Sequence, residues 1–346
     1  MEKLVDNLGE VKPDYTVSVP RVYEKAYAAV LDNAYSGPPI KKTIFNWALK
    51  TGREASRLIQ AKKPIPLGLR IKKAIAHKLV FSKIHHRFGG RLRFFISGGA
   101  PLAKEIAEFF HAAGMLILEG YGLTETCPAT HINRFENYKF GTVGLPIPGV
   151  DVKLAPDGEI LVKGPNIASK GYFKRPEDTK EVFTDNGWFR TGDIGEIDSE
   201  GFLKITDRKK DLIKTAGGKF VAPQNIESML KGDPFISQAV VIGDRRPYCV
   251  ALISINQVEA EKFAKERGIS YATYADLTKN PQVFERAKKT VDDVNSRLAS
   301  FESIKKFSLV PRDFTQENDE LTPTLKVKRK VVTERYKEVL ESFYAS

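Results

Sequence analysis

Ten residues, EGYGLTETCP from Glu119 to Pro128, gather two glycines, two threonines, two glutamates and a cysteine at one bend. Hydroxyls, a carboxylate and closely approachable backbone N–H groups are what a polar or anionic ligand needs, although an isolated stretch of this kind reads equally well as an exposed loop. A second small-residue bend, SGGAPL (Ser97–Leu102), lies upstream. Further along stand RTGDIG with Asp193, TDRKKD with Arg208 and Lys210, and LTPTLKVKR with Lys326 and Lys328. A lone TGD is weak evidence, since Asp-Gly turns are common; TGD followed by DRKKD is stronger. Cys127 invites a nucleophilic reading, but no histidine is patterned with it, and it reads as a packing residue. His131 reads as structural.

The elements around the first two bends are legible. Leu92–Ile96 is an apolar run suited to a buried strand, and Ser97-Gly98-Gly99 breaks it. Pro101 suits the first turn of a helix. Leu102, Ile106, Phe109 and Phe110 fall on one helical face, Gly114 suits the helix end, and Met115–Leu118 is a second strand. This β–turn–α–β pattern is the unit of a parallel sheet. Ligands of such sheets bind beyond the carboxyl ends of the strands, so SGGAPL and YGLTET are expected on one rim, sharing one crevice.

From Gly141 the texture changes to short strands divided by Gly, Pro and Asp turns, which predicts a small antiparallel sheet or barrel. DRKKDLIKTAGGKFVAP reads as a β-hairpin, and Pro223 opens a helix. SQAVVIG and YCVALISI read as strands. VFERAKKTVDDVNSRLASF predicts a helix with Val283, Ala287, Val291, Val294 and Leu298 on one face. A domain boundary is expected near Asp207–Lys210. The fold class is α/β, followed by a smaller α+β domain.

At 346 residues, 42% hydrophobic and 28% charged, the chain is an ordinary globular sequence with room for two or three domains. No membrane-spanning run or signal peptide is seen, and two cysteines, Cys127 and Cys249, make no disulfide framework or zinc spacing. A reducing cytoplasm is the expected compartment. The net charge of +12 is concentrated: residues 41–93 hold fifteen Lys or Arg and one acid, Glu54. That block reads as solvated helix faces, as a docking face for an anionic membrane, or as a site for a polyphosphate. No nucleic-acid motif is present, and no nucleic-acid partner is expected.

SGGAPL, EGYGLTET, GWFRTGDIG, DRKKDLIKTAGGKFVAP and LTPTLKVKR, in that order and spacing, resemble the adenylate-forming superfamily. Together with VPRVYEKAY near the start, they are similar to the C-terminal portion of its long-chain fatty acyl-CoA synthetase branch. The resemblance implies activation of a fatty acid with ATP to an acyl-adenylate, then transfer to coenzyme A. It implies an incomplete large domain, with an α/β part over 1–139 and a β-barrel-like part over 140–207, and a mobile C-terminal α+β domain over 208–346.

Residue by residue, the resemblance implies that Gly98, Gly99 and Ala100 wall the adenine, although on sequence alone they are equally a tight turn. Tyr121 offers the base a flat face, and Gly122 belongs to the same nucleotide-binding bend. Thr124 donates to the α-phosphate and Glu125 holds Mg²⁺. Asp193 accepts from the ribose hydroxyls, with Arg208 reinforcing them. Lys326 is the catalytic lysine, bridging carboxylate and α-phosphate, with Lys328 two residues on. Lys210 is the hinge, and Gly217-Gly218 swing towards the active site for thioester formation. The family's common glycine before the lysine is Leu325 here.

The family's Ser/Thr/Gly-rich phosphate loop has no counterpart in the sequence. Expectations therefore divide between a working or ancestral ligase portion, with an upstream-subdomain partner chain, and a non-catalytic nucleotide-binding or interaction fragment. A sister ligase for another carboxylic acid is the third reading. An exposed parallel-sheet edge is expected where the absent subdomain should pack. The basic block is expected to help dock the protein at the inner face of an anionic membrane or to steer the coenzyme A phosphates.

Overall fold

Proline begins helix after helix in this chain: Pro20, Pro39, Pro176, Pro223 and Pro281 each stand in the first turn of one. Its missing N–H has no intrahelical partner there in any case. A computed structural model describes residues 4–322 and 325–345. The chain forms two units, Met1–Ile205 and Thr206–Ser346.

The first unit runs α1 (Leu4–Val11), β1 (Tyr15–Ser18), α2 (Pro20–Tyr35), α3 (Pro39–Gln60), α4 (Leu67–Ala76), a π-helical turn (His77–Phe81), α5 (Ser82–Arg87), β2 (Phe94–Ser97), α6 (Lys104–Ala112) and β3 (Leu116–Tyr121). Short β4 (His131–Ile132) and β5 (Leu145–Pro146) complete one sheet in the order β1-β2-β3-β4-β5. The first three strands are parallel and the last two antiparallel. The expected β–turn–α–β is β2–α6–β3, with Ser97 opposite Glu119.

Ile106, Phe109 and Phe110 of α6 are fully buried beneath this sheet, with Tyr23 of α2 packed edge-on against Phe95 and Phe110. α6 in turn takes α3, so closely that a Cβ on Gly52 would lie 2.3 Å from the Ala112 carbonyl oxygen. α4 packs on α3 as the outer layer. The other face of the sheet is open at β1, where Tyr15 is 58% and Val17 63% exposed.

One expectation shifts. Pro101 is not in the helix: α6 starts at Lys104 with Ala103 before it. The turn through Gly99, at φ +80°, occupies the preceding residues, Ala103 is extended, and Leu102 gives its N–H to the buried Glu119 carboxyl. Gly114, at φ +88°, ends α6 as expected.

The antiparallel sheet expected after Gly141 is present as β6 (Asp151–Leu154), β7 (Glu159–Lys163), β8 (Phe189–Ile197) and β9 (Leu203–Arg208), in sequence order, with α7 (Pro176–Val182) between β7 and β8.

The second unit opens with the expected hairpin, β10 (Ile213–Lys214) and β11 (Phe220–Val221). After α8 (Pro223–Leu230), β12 (Ile236–Ile242) and β13 (Cys249–Ile255) pair antiparallel. Then come α9 (Gln257–Arg267), α10 (Tyr274–Lys279), α11 (Pro281–Asn295) and β14 (Ile304–Leu309), which joins β13 in parallel. One core gathers α8 and α11, and a second gathers α12 (Arg329–Arg335) and α13 (Lys337–Ser342). Val283, Ala287, Val291 and Val294 are buried as their spacing implies. Leu298 lies beyond the end of α11 and is only partly buried against the same core.

Candidate functional site

Strand β3 delivers Tyr121 at its carboxyl end, and β2 delivers Ser97 at its own, so the two glycine bends sit side by side. A Cβ on Gly98 would lie 3.5 Å from the Gly120 carbonyl oxygen. Gly99 needs its left-handed conformation, so the tight turn read from the sequence is present. Gly122 has a structural reason of its own: a Cβ there would lie 1.9 Å from the Pro128 carbonyl oxygen.

Tyr121 and Asp193 meet. The tyrosine hydroxyl donates to Asp193 Oδ2 at 2.6 Å across 72 residues of sequence. Asp193 is 4% exposed, and its N–H donates to Thr191 Oγ1, whose hydroxyl donates to the Ile160 carbonyl. Gly192, at φ +69°, turns its N–H to Glu159 Oε1 at 3.1 Å. The TGD segment is thus fixed on β7 by backbone and carboxylate together.

Thr124 and Glu125 lie in a single 3₁₀ turn, Thr124 exposed and Glu125 half-buried. That turn is clasped by the segment around residues 166–172. Asn166 Nδ2 donates to the carbonyls of Thr126 and Ala129 at 2.7 and 2.9 Å, Ala168 N–H donates to the Glu125 carbonyl, and Tyr172 donates its hydroxyl to Glu125 Oε1 at 2.7 Å. Burial and the adjacent carboxylate push the Tyr172 hydroxyl up to about 12. Cys127 is exposed, at φ 43°, and so is not the packing residue its sequence context implies: the tight turn holds its side chain outward. His131 is buried against Thr130, and burial brings its imidazole down to about 4, consistent with a structural role.

Glu119 was not singled out by its motif. It is a carboxyl in the middle of an apolar strand, LILEGY, and that misfit is the signal that could have found it. It is buried and accepts from the Leu102 and Gly141 N–H groups, while its Oε1 has no partner among the described residues. Burial pushes its carboxyl up to about 8, partly offset by those two N–H groups. A protonated Glu119 therefore ties the SGGAPL bend to β3 near neutral pH.

The remaining candidates belong to the second unit. Arg208 ends β9 half-buried, and exposed Lys210 stands in the following turn. Beside them Asp207 is 1% exposed, takes the N–H groups of Arg208 and Gln224, and is pushed by burial to about 7. Gly217 and Gly218 form the hairpin turn, with Gly218 at φ +76°.

Lys326 is exposed, and its loop closes through Thr322 N–H to the Lys326 carbonyl at 2.8 Å. Lys328 forms an ion pair with Asp319. Leu325 adopts φ +61°, the conformation glycine supplies without steric cost, and its side chain packs on the second core of this unit. Behind the loop, Glu320 is fully buried and takes a two-bond grip from Arg312 at 2.6 and 2.9 Å and a third contact from Arg335 at 2.7 Å. Pro323 and Thr324 lie outside the described residues.

A parallel β–α–β with two small-residue bends on one rim, a following antiparallel sheet and a separate α+β unit define an adenylation fold. The solved adenylation domain of a carboxylate reductase from Mycobacterium chelonae superposes with a TM-score of 0.68 at 24% identity, over 99% of this chain and 48% of that one. ATP-bound MatB from Rhodopseudomonas palustris matches at TM-score 0.55 and 30% identity, over 73% of this chain and 47% of that one. The chain belongs to the AMP-binding enzyme family: residues 1–173 match the AMP-binding enzyme domain and residues 210–346 the AMP-binding enzyme C-terminal domain. It is 43% identical to a long-chain-fatty-acid–CoA ligase, FadD15, of Mycobacterium bovis over 99% of its length, and 35% identical to peroxisomal long chain acyl-CoA synthetase 7 of Arabidopsis thaliana. The chain spans 57% and 50% of the length of these two relatives.

Proposed function

We propose that the chain is the nucleotide- and lysine-bearing portion of an ATP-dependent long-chain fatty acid–CoA ligase. Tyr121 and the Gly98–Ala100 bend hold adenine, and Asp193 takes the ribose hydroxyls, with Arg208 reinforcing them. Thr124 donates to the α-phosphate. Lys326 carries its ammonium to the carboxylate and α-phosphate oxygens, where negative charge grows in the transition state. Lys210 serves as the hinge for the C-terminal domain, and Gly217-Gly218 approach the site for transfer to coenzyme A. In this reading residues 1–139 and 140–207 form parts of a large adenylation domain and 208–346 its mobile partner.

Mg²⁺ suits the donors present. Glu125 offers a half-buried carboxylate, and among the described residues no group of three or more His, Cys, Asp or Glu gathers into a cage. A hard cation held by one carboxylate, phosphate oxygens and water fits that set, and when bound it would neutralise phosphate charge.

The observation that carries the reading is the Tyr121–Asp193 bond, which brings two separate motifs to one place. Calorimetric titration of AMP or an acyl-adenylate mimic into the chain, followed by pyrophosphate release with palmitate, tests it. Asp193→Ala is expected to lower AMP affinity about tenfold or more, the scale of losing hydrogen bonds to a charged group. Unchanged affinity would reject the site.

A second reading, a non-catalytic nucleotide-binding or interaction fragment, is favoured by the open sheet face at Tyr15 and Val17. Parallel sheets are ordinarily covered on both faces. In the ligase reading, further polypeptide would cover that face and supply the contacts to the outer phosphates. Among the described residues no helix is long and apolar enough to cross a membrane. We place the protein in the cytoplasm, in peripheral contact with the inner membrane face.

A further inference from the structure

Helix α4 is apolar on two opposite sides. Leu69 and Ala76 are buried on the side that packs inward. Leu67, Ile71 and Ile75 form a line along the other, one helical turn apart, and Leu79 in the π-helical turn extends it. All four are exposed, Leu67 by 72% and Ile71 by 55%. Arg70, Lys72 and Lys78 are also exposed on this stretch. They belong to the 41–93 block with its fifteen cations and one acid. A core helix with a merely solvated outer face has no reason to carry four large aliphatic side chains there.

A solvated apolar line flanked by cations is the pattern of a helix lying in lipid headgroups, with its aliphatic side chains among the acyl-chain ends and its ammonium and guanidinium groups over phosphates. The layering of the unit separates this line from the other apolar surface. α4 lies on α3, α3 on α6 and α6 on the sheet, so the open sheet face at Tyr15 and Val17 is on the opposite side. A polypeptide partner finds its uncovered parallel sheet there, and the cationic stripe is left to something anionic.

We propose that the outer face of α4, from Leu67 to Leu79, docks on an anionic lipid surface. This specifies the peripheral contact in the proposed function and would bring a membrane-dissolved fatty acid to the protein. Co-sedimentation of the chain with vesicles reads it without turnover. Binding is expected to equimolar phosphatidylglycerol–phosphatidylcholine vesicles, to be weak or absent with phosphatidylcholine alone, and to fall as salt is raised. Ile71→Asp with Ile75→Asp should lower partitioning about tenfold or more at every salt concentration. Lys72→Glu with Lys78→Glu should flatten the salt dependence. AMP titration in each variant checks that the fold and the nucleotide site persist, so a failure of the proposed nucleotide function is seen separately. No binding, equal binding to both vesicle types, wild-type binding by the isoleucine pair variant, or displacement by millimolar coenzyme A would each overturn the proposal, the last by showing that the cations read a soluble polyphosphate.

Discussion

The turn that carries Thr124 and Glu125 and the loop that carries Lys326 are held by different forces. The turn is fixed mainly by hydrogen bonds to its backbone: carbonyls taken by Asn166 and by the Ala168 N–H, with one charge-assisted bond from the Tyr172 hydroxyl to Glu125, and a glycine that no larger residue can replace. The lysine loop is tied by ion pairs, Glu320 with Arg312 and Arg335, and Lys328 with Asp319. Neutral short-range bonds are little affected by salt, whereas partly exposed ion pairs are screened. A preorganised pocket and a tethered arm are what the proposed chemistry asks of these two regions.

The contrast can be broken most severely at the arm's tip. Lys326→Ala is expected to lower adenylation, read as pyrophosphate release, by about 10²–10³-fold, the scale of losing one transition-state donor. Lys328→Ala should cost less than about tenfold, because that ammonium is already engaged by Asp319. Equal losses would erase the distinction between the two lysines.

Next in size is the tether. Glu320→Gln leaves Arg312 and Arg335 without their shared carboxylate and should destabilise the second unit by about 1–3 kcal/mol in chemical denaturation. The solvent-exposed parts of both arginines keep the loss at that scale. A loss of the same size in AMP affinity would show that the tether and the pocket are not separate devices.

The pocket side is sharpened by pH. Glu119 has its carboxyl raised to about 8 from the usual value of 4.5, so its stabilising contribution is complete below about pH 4.5 and disappears as pH rises through 8. Glu119→Gln keeps a neutral group in place and should remove that dependence. The variant is expected to match the wild type near pH 5 and to exceed it in melting temperature at pH 9. Parallel curves across that range would show that Glu119 stays ionised. The smallest effect is Tyr172→Phe, which removes one bond to Glu125 and should weaken Mg²⁺–nucleotide affinity by about 0.5–1.5 kcal/mol with the melting temperature almost unchanged.

The strands β2 and β3, helix α6 and the buried stripe of α11 were legible because each is a local pattern: an apolar run, a glycine at a forced backbone angle, a repeat of three or four. The pairs that shape the site were not. Tyr121 meets Asp193 across 72 residues and Tyr172 meets Glu125 across 47, and no periodicity encodes a distance set by the packing of separate elements. The motifs marked the residues at the bends but passed over the residues that hold the bends, Glu119, Asn166 and Tyr172. The α6 boundary also moved: Pro101 is a good local start, but the backbone is still extended at Ala103 and the helix begins at Lys104.

Leu325 adds one consequence. Its left-handed backbone costs about 1–2 kcal/mol in a residue with a branched side chain, and packing on the neighbouring core keeps it there. Leu325 thus adds an apolar anchor to the ion pairs that tie this loop, and in the proposed chemistry an advance of Lys326 would unseat Leu325, releasing the twist as it gives up the contact. A glycine at this position would leave the lever slack in both directions.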